Sequence, residues 1–452
     1  MSNWSDKSVF YHIYPLGCCG APPENDFSSP PQGRLRRLCS TAERIRNRGF
    51  TAVYLGPVFE SSRHGYDTAD YHLTDRRLGT NEDLAALCEA FHDAGLRIVF
   101  DAVFNHVGRK FHAFRDLLEK KNASAYCGWF EKLDFSNPNA CGDPFSYATW
   151  QGYHDLAKLN LGNAEVREHL FHAVDQWIRN YNIDGLRLDA ADCMDREFLS
   201  ALAAHCRKRK PDFWLMGEVV QGNYSDWASP GCLDSVTNYE AYKGLYSSFN
   251  DGNFFEIAWT MNRLSGAEGI CRNVNLYNFA DNHDVDRIAS RLKDGRHLHP
   301  LYCLLFAMPG VPSIYYGSEF GITGKKHEGS DQPLRPALDI ENLPALTGGE
   351  KLAATISSLA SLRIGNAALQ HGTYEPLAVK DRQLGFLRRT PDQAIAVLIN
   401  SSDTTADMEC RLDSFAGKNL RDLLNPGWSV PITEGRMQIS IDGNWARFLE
   451  VT

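Results

Sequence analysis

Asn182-Ile-Asp-Gly-Leu-Arg-Leu-Asp-Ala-Ala191 is the stretch whose reading decides the fold. Asp184 and Gly185 are turn formers, and the short apolar run behind them carries Arg187 and Asp189 two residues apart, so on a strand both point to one face. An arginine is always charged and lowers the pKa of a carboxylate beside it. Asp189 is therefore expected to be ionised at neutral pH and available as a nucleophile. A structural ion pair at a strand end is the alternative, because such pairs perturb pKa values too.

Working outward, Asp212-Phe-Trp-Leu-Met-Gly-Glu218 is a second apolar run ending in an acid, and the 29 residues from Asp189 to Glu218 fit one strand, one helix and one strand. Two acids at matching ends of neighbouring strands are what glycoside hydrolysis needs, one to attack the anomeric carbon and one to protonate the leaving oxygen. Further short runs rich in β-branched or aromatic residues read as buried strands at 9–14, 51–55, 97–101, 275–280 and 312–316, with a weaker one at 235–238. Helical periods lie between them, at 81–94 (Leu84, Leu87, Cys88, Phe91) and 163–181 (Val166, Leu170, Val174, Trp177, Ile178), the second with Asn163 as N-cap. Eight strands alternating with helices predict an α/β fold, a (β/α)8 TIM barrel with its site at the C-terminal strand ends.

Three motifs then carry a resemblance. Gly185-Leu-Arg-Leu-Asp189, Gly217-Glu218 and Phe279-Ala-Asp-Asn-His-Asp284 resemble, in order, signature motifs of the α-amylase family of glycoside hydrolases (family 13). Asp101-Ala-Val-Phe-Asn-His106, His64-Gly-Tyr-Asp-Thr-Ala-Asp70 and the stretch from Gly310 to Gly321 add to it. The resemblance implies a retaining α-glucan hydrolase, with Asp189 as nucleophile, Glu218 as acid and base, and Asp284 as stabiliser of the transition state. It also implies substrate contacts from Tyr66, stacked beneath the sugar, from His106, and from Arg187 and His283. Retention asks for carboxyls about 5 to 5.5 Å apart and a Glu218 that holds its proton before attack. The same motifs serve a transglycosylase or sugar isomerase of the family; a non-catalytic carbohydrate-binding homologue loses the carboxylates kept here.

Residues 108–157 are turn-rich and aromatic, too long for a structureless loop, and read as a small domain inserted after the third strand. The barrel is thus expected in two parts, 1–107 and 158–371, the latter closing with a helical segment at 349–369. Alternating short runs after Gly372 predict a C-terminal antiparallel β-sandwich domain at 372–452. Leu156-Ala-Lys-Leu-Asn160 resembles a signature of the neopullulanase and cyclomaltodextrinase branch, and Arg335 that of oligosaccharide hydrolases whose loop after the eighth strand narrows the pocket. Short, soluble α-1,4-linked maltooligosaccharides are the expected substrate, in preference to starch.

A formal net charge of −9 with no basic run argues against nucleic-acid or anionic-membrane partners. The apolar stretch at 301–316 is too short and too broken by Pro309, Gly310 and Pro312 to span a bilayer. The twelve cysteines contain no Cys-x-x-Cys pair and read as reduced thiols. With no leader visible at Met1-Ser-Asn-Trp-Ser-Asp, the expected location is cytoplasmic. No cofactor is predicted. Calcium is not supported, because Ala190-Ala-Asp-Cys193 replaces the Lys-His pair that helps bind it in secreted members, and Asn105 has no partner ligands. Nothing in the sequence specifies an oligomeric state.

Overall fold

Short runs buried on both faces build the centre of the molecule: β1 (Phe10–Ile13), β2 (Ala52–Leu55), β3 (Arg97–Ala102), β4 (Gly185–Leu188), β5 (Trp214–Gly217), β6 (Ser235–Val236), β7 (Tyr277–Phe279) and β8 (Val311–Tyr315). This is a computed structural model, and it describes residues 4–327, 329–343 and 347–452; Met1, Ser2 and Asn3, read above for a leader, lie outside the described residues. The strands pair in the order β6-β5-β4-β3-β2-β1-β8-β7, in parallel register. Thr237, just past β6, bridges Tyr277 of β7 in parallel and closes the circle into a TIM barrel.

Period-two alternation sorts the side chains. Phe10, Tyr54, Val99, Trp214, Met216, Tyr277 and Val311 share one cluster, and Tyr11, Val53, Ile98 and Leu215 belong to another with the surrounding helices. Helix α1 (Asn81–Asp93) starts at a Thr80–Asp83 capping box, and α2 (Ala164–Tyr181) starts where the Asn163 side chain accepts from the Glu165 and Val166 amides, as expected. Buried Asp184 then anchors β4 on β3. Its carboxylate accepts from the Ile98 amide at 2.9 Å, Arg97 at 2.6 Å and Lys210 at 2.7 Å, with His92 at 3.2 Å.

Between β3 and α2 the chain forms a helix, His112–Lys120, and a three-stranded antiparallel sheet from His106–Gly108, Thr149–Trp150 and Tyr153–Lys158. The segment expected as one helix at 349–369 is two, Glu350–Gly365 and Ala367–His371, because Asn366 between them is extended (φ −129°, ψ 109°). Beyond it, a six-stranded and a two-stranded sheet, with antiparallel pairing throughout, enclose a core that includes Leu387, Leu398, Met408, Ile439 and Leu449. No helix among the described residues is long and apolar enough to cross a membrane.

Candidate active site

Three C-terminal strand ends, those of β3, β4 and β5, converge on one guanidinium. Arg187 points into the barrel from β4; its Nη1 donates to Asp189 Oδ1 at 2.8 Å and to Asp101 Oδ1 at 2.9 Å, and its Nη2 meets Glu218 Oε2 at 2.9 Å. The same-face reading of Arg187 and Asp189 holds. Ala190 adopts a left-handed backbone (φ 48°), uncommon without glycine, and its amide donates to Glu218 Oε2 at 3.1 Å. Glu218 Oε1 is left to the Tyr239 hydroxyl, 3.3 Å away.

The charge state of Asp189 corrects the sequence reading. Burial pushes its carboxyl well above the usual range; Arg187 pulls the other way, but Glu218 and Asp101 add to the rise. Three carboxylates around one buried cation cannot all be charged cheaply where so little of them meets water. The strand motif displays only the arginine, not the burial or the other two acids.

Asp284 sits across the site on the loop after β7. Its Oδ2 lies 2.9 Å from His283 Nε2 and its Oδ1 2.9 Å from Arg335 Nη2. Burial pushes this carboxyl up, yet His283 and Arg335 together hold it well below the usual range. Arg335 also donates from Nε to the His283 carbonyl at 2.9 Å and from Nη2 to Asp331 at 3.0 Å, so the loop after β8 is tied to the loop after β7. Gly17 lets that loop in: a Cβ there would lie 2.2 Å from the Arg335 carbonyl oxygen.

Tyr66 stacks nearly parallel on His283 (centroids 5.3 Å, 11°), and its hydroxyl donates to Asp101 Oδ2 at 2.9 Å. His106 is buried; desolvation lowers its pKa to about 3, so the ring is neutral, with Nε2 unpartnered and 3.8 Å from Asp189 Oδ2. Tyr66, His106, Asp189, Glu218, Asp284 and Arg335 line one cleft of about 640 Å³. Arg187 and His283 lie beneath it, reaching it through the carboxylates they hold. Asp101, Tyr239 and Lys326 were not singled out from the sequence. Asp101 ends β3 inside a quoted motif and could have been found there; Tyr239 and Lys326 have no local signal.

The calcium question comes down to Asn105. It is fully buried with an unpartnered Oδ1, but its Nδ2 lies 3.1 Å from His106 Nδ1. Among the described residues no group of three His, Cys, Asp or Glu side chains is placed to hold a metal ion. One orphan amide oxygen does not make a calcium cage, which takes six to eight oxygens.

A parallel eight-stranded barrel with acids gathered at its C-terminal rim defines a barrel glycosidase. The chain belongs to the alpha-amylase family: the family's catalytic-domain model matches residues 24–345. It is 28% identical over 446 residues to a cyclomaltodextrinase of Geobacillus thermopakistaniensis, covering 93% of this chain and 73% of that one. It is 29% identical over 467 residues to neopullulanase 2 of Thermoactinomyces vulgaris (97% and 76% covered). Among solved structures, the cyclic alpha-maltosyl-(1→6)-maltose hydrolase of Arthrobacter globiformis superposes with a TM-score of 0.82 at 26% identity, with 100% and 99% of the two chains covered.

Proposed function

We propose that this enzyme is a retaining hydrolase of short α-1,4-linked glucans, with Asp189 as nucleophile, Glu218 as acid and base, and Asp284 as transition-state stabiliser. The observation that carries the reading is the shared clamp: one guanidinium holds Asp189 by one amino group and Glu218 by the other. Asp189 Oδ1 is occupied by that bond, which leaves Oδ2 to attack the anomeric carbon. Glu218 Oε2 is occupied by Arg187 and the Ala190 amide, which leaves Oε1 to carry the proton to the leaving oxygen. The chemistry asks for Asp189 without its proton and Glu218 with one when the sugar binds. Water then attacks the glycosyl ester, returns a proton to Glu218, and releases the sugar with its configuration kept. Asp284, fixed on both oxygens by His283 and Arg335, faces the ring as positive charge develops.

Two supports favour short substrates: relatives named cyclomaltodextrinase, and the ion pairs of Arg335, Asp331 and Lys326 along one end of the cleft. Free, mostly buried thiols fit a cytoplasmic location. The test is proton NMR of maltotriose hydrolysis, in which the α anomer must appear first, with Asp189→Asn lowering kcat by at least about 10⁴-fold while melting as the unmodified protein does. Initial β product, or a kcat/KM on soluble starch above that on maltotriose per scissile bond, would overturn the corresponding half of the proposal.

A further inference from the structure

Four histidines that line no part of the cleft crowd together where the inserted segment begins. His72 lies on the strand Thr68–Thr74, His112 opens the helix His112–Lys120, and His169 and His172 stand one turn apart on α2. The His169 ring is 5.4 Å from that of His72 and 5.3 Å from that of His112, and the His72 ring is 5.4 Å from that of His172. The rest of the contact is aromatic: His169 meets Tyr71 at 6.0 Å, Phe111 at 5.6 Å and Trp129 at 5.4 Å. Three separate parts of the chain are thus joined through imidazoles.

The carboxylates nearby are already engaged. Asp70 accepts from the His72 amide at 2.7 Å, and Asp116, one turn after His112, pairs with Lys120 at 2.6 Å. Glu165, one turn before His169, accepts from Trp129 Nε1 at 3.0 Å, and His72 turns its Nδ1 to Gln176. His169 Nε2 is buried and has no partner. Asp70 and Asp116 favour a proton on His112, against burial and His72. His112 also occupies the first turn of its helix, where the helix dipole opposes a cation. On His169, burial acts first and then His112, His72 and His172, and all of them lower its pKa, to about 4.

We propose that His72, His112, His169 and His172 form an acid-sensitive latch, which holds the helix His112–Lys120 against α2 at neutral pH and releases it as the cluster takes up protons. Neutral imidazoles pack against one another and against Trp129 as other flat rings do. A second or third positive charge among them is repelled by the first, and the repulsion is relieved when the elements part and water enters. The sign follows from His169. Its docked value lies below the ordinary value of about 6.5, so the parted form binds protons more readily, and docking weakens as pH falls from about 6.5 toward the docked value. His112 and His172 are exposed, which gives protons a way in. The strands Thr149–Trp150 and Tyr153–Lys158 of the same segment put Trp150, Tyr153 and Leu156 on the cleft, so release of the helix loosens one wall of it. None of this depends on which reaction the cleft carries out.

The test is amide hydrogen exchange on the full chain, corrected for the intrinsic pH dependence of exchange. Between pH 7 and pH 5, protection of the amides in His112–Lys120 falls about ten-fold or more, while that of the strand Ala394–Asn400, in the C-terminal domain, changes by less than about two-fold. His169→Phe, which keeps a flat ring and cannot take a proton, reduces the fall to less than about two-fold. His112→Gln leaves His169 in place with one positive neighbour fewer, and reduces the fall to about three-fold; it decides the matter alone if the first variant does not fold. Protection of the helix that is the same at both pH values, a fall shared equally by Ala394–Asn400, or an undiminished fall in the variants overturns the latch.

Discussion

Arg335 Nη2 lies 2.9 Å from Asp284 Oδ1, and the two residues come from different strand loops. A carboxylate on the rim of a barrel is thereby aimed by a cation that a neighbouring loop supplies. Only 11% of the Arg335 side chain is exposed, so water screens its end of the bond little.

Arg335→Ala is accordingly expected to act through Asp284. Its loss frees Oδ1 and unties the loop after β8, and misplacement of a stabilising group by about 1 Å costs on the order of 100-fold in rate. Steady-state kinetics on maltotriose should show kcat reduced about 10- to 100-fold with KM moved by less than about three-fold. A rise in KM alone would mean that Arg335 holds substrate and does not position the acid.

The proposed attack by Asp189 needs the carboxylate ionised, and burial beside Glu218 and Asp101 raises its pKa. Activity is therefore lost on acidification at a higher pH than an ordinary aspartate, with a reference value of about 3.9, would dictate. In Glu218→Gln one of the charges that raises Asp189 is gone. The acid limb of kcat/KM on α-maltosyl fluoride, whose departure needs no acid, should then move to lower pH. A limb that stays in place, or moves up, would show that the two carboxyls do not repel one another as their shared guanidinium implies.

Asp184 supplies a stability prediction away from the chemistry. Burial pushes its carboxyl up, but His92, Lys210, Arg97 and the Ile98 amide outweigh it and hold the folded value well below the unfolded one. A depressed carboxylate contributes stability above its unfolded pKa of about 3.9, and that stability is lost as pH falls toward the folded value. Asp184→Asn should cost about 3 kcal/mol at pH 7, and urea denaturation curves of the two proteins should converge as pH falls below about 4. A constant gap across that range would rule out the ionic origin.

The barrel was legible because its strands announce themselves twice, by apolar runs and by acids at their ends. Arg187 and Asp189 meet as period two requires, and Asn163 caps α2 as its side chain allows. What the sequence concealed lies in long-range packing. Asp101 is joined to Tyr54, Tyr66 and Arg187, partners 35 to 86 residues away; no window of sequence contains that set. The rise in the Asp189 pKa has the same cause, since burial belongs to the assembled barrel and not to the strand. The break at Asn366 was hidden differently: Asn is tolerated inside helices, and the extended residue has its side chain bonded back to the Leu362 carbonyl at 2.6 Å.

The seam between β6 and β7 differs in kind from the rest of the circle. Elsewhere strands are joined by ladders of main-chain bonds, which are indifferent to the side chains they pass. Here β6 has two residues, the one bridge rests on the Asn238 N bond to the Tyr277 carbonyl at 2.9 Å, and two side-chain bonds fasten it further: Ser235 Oγ to the Asn275 carbonyl at 2.7 Å and Asn238 Nδ2 to Asn278 Oδ1 at 2.8 Å. Closure at this point leans on one particular hydroxyl and one particular amide beside its main-chain bridge, so it is the place where changing a side chain alone weakens the ring. Tyr239, the next residue along, carries the hydroxyl that meets Glu218, and a loosened fastening would therefore reach Glu218 through that contact.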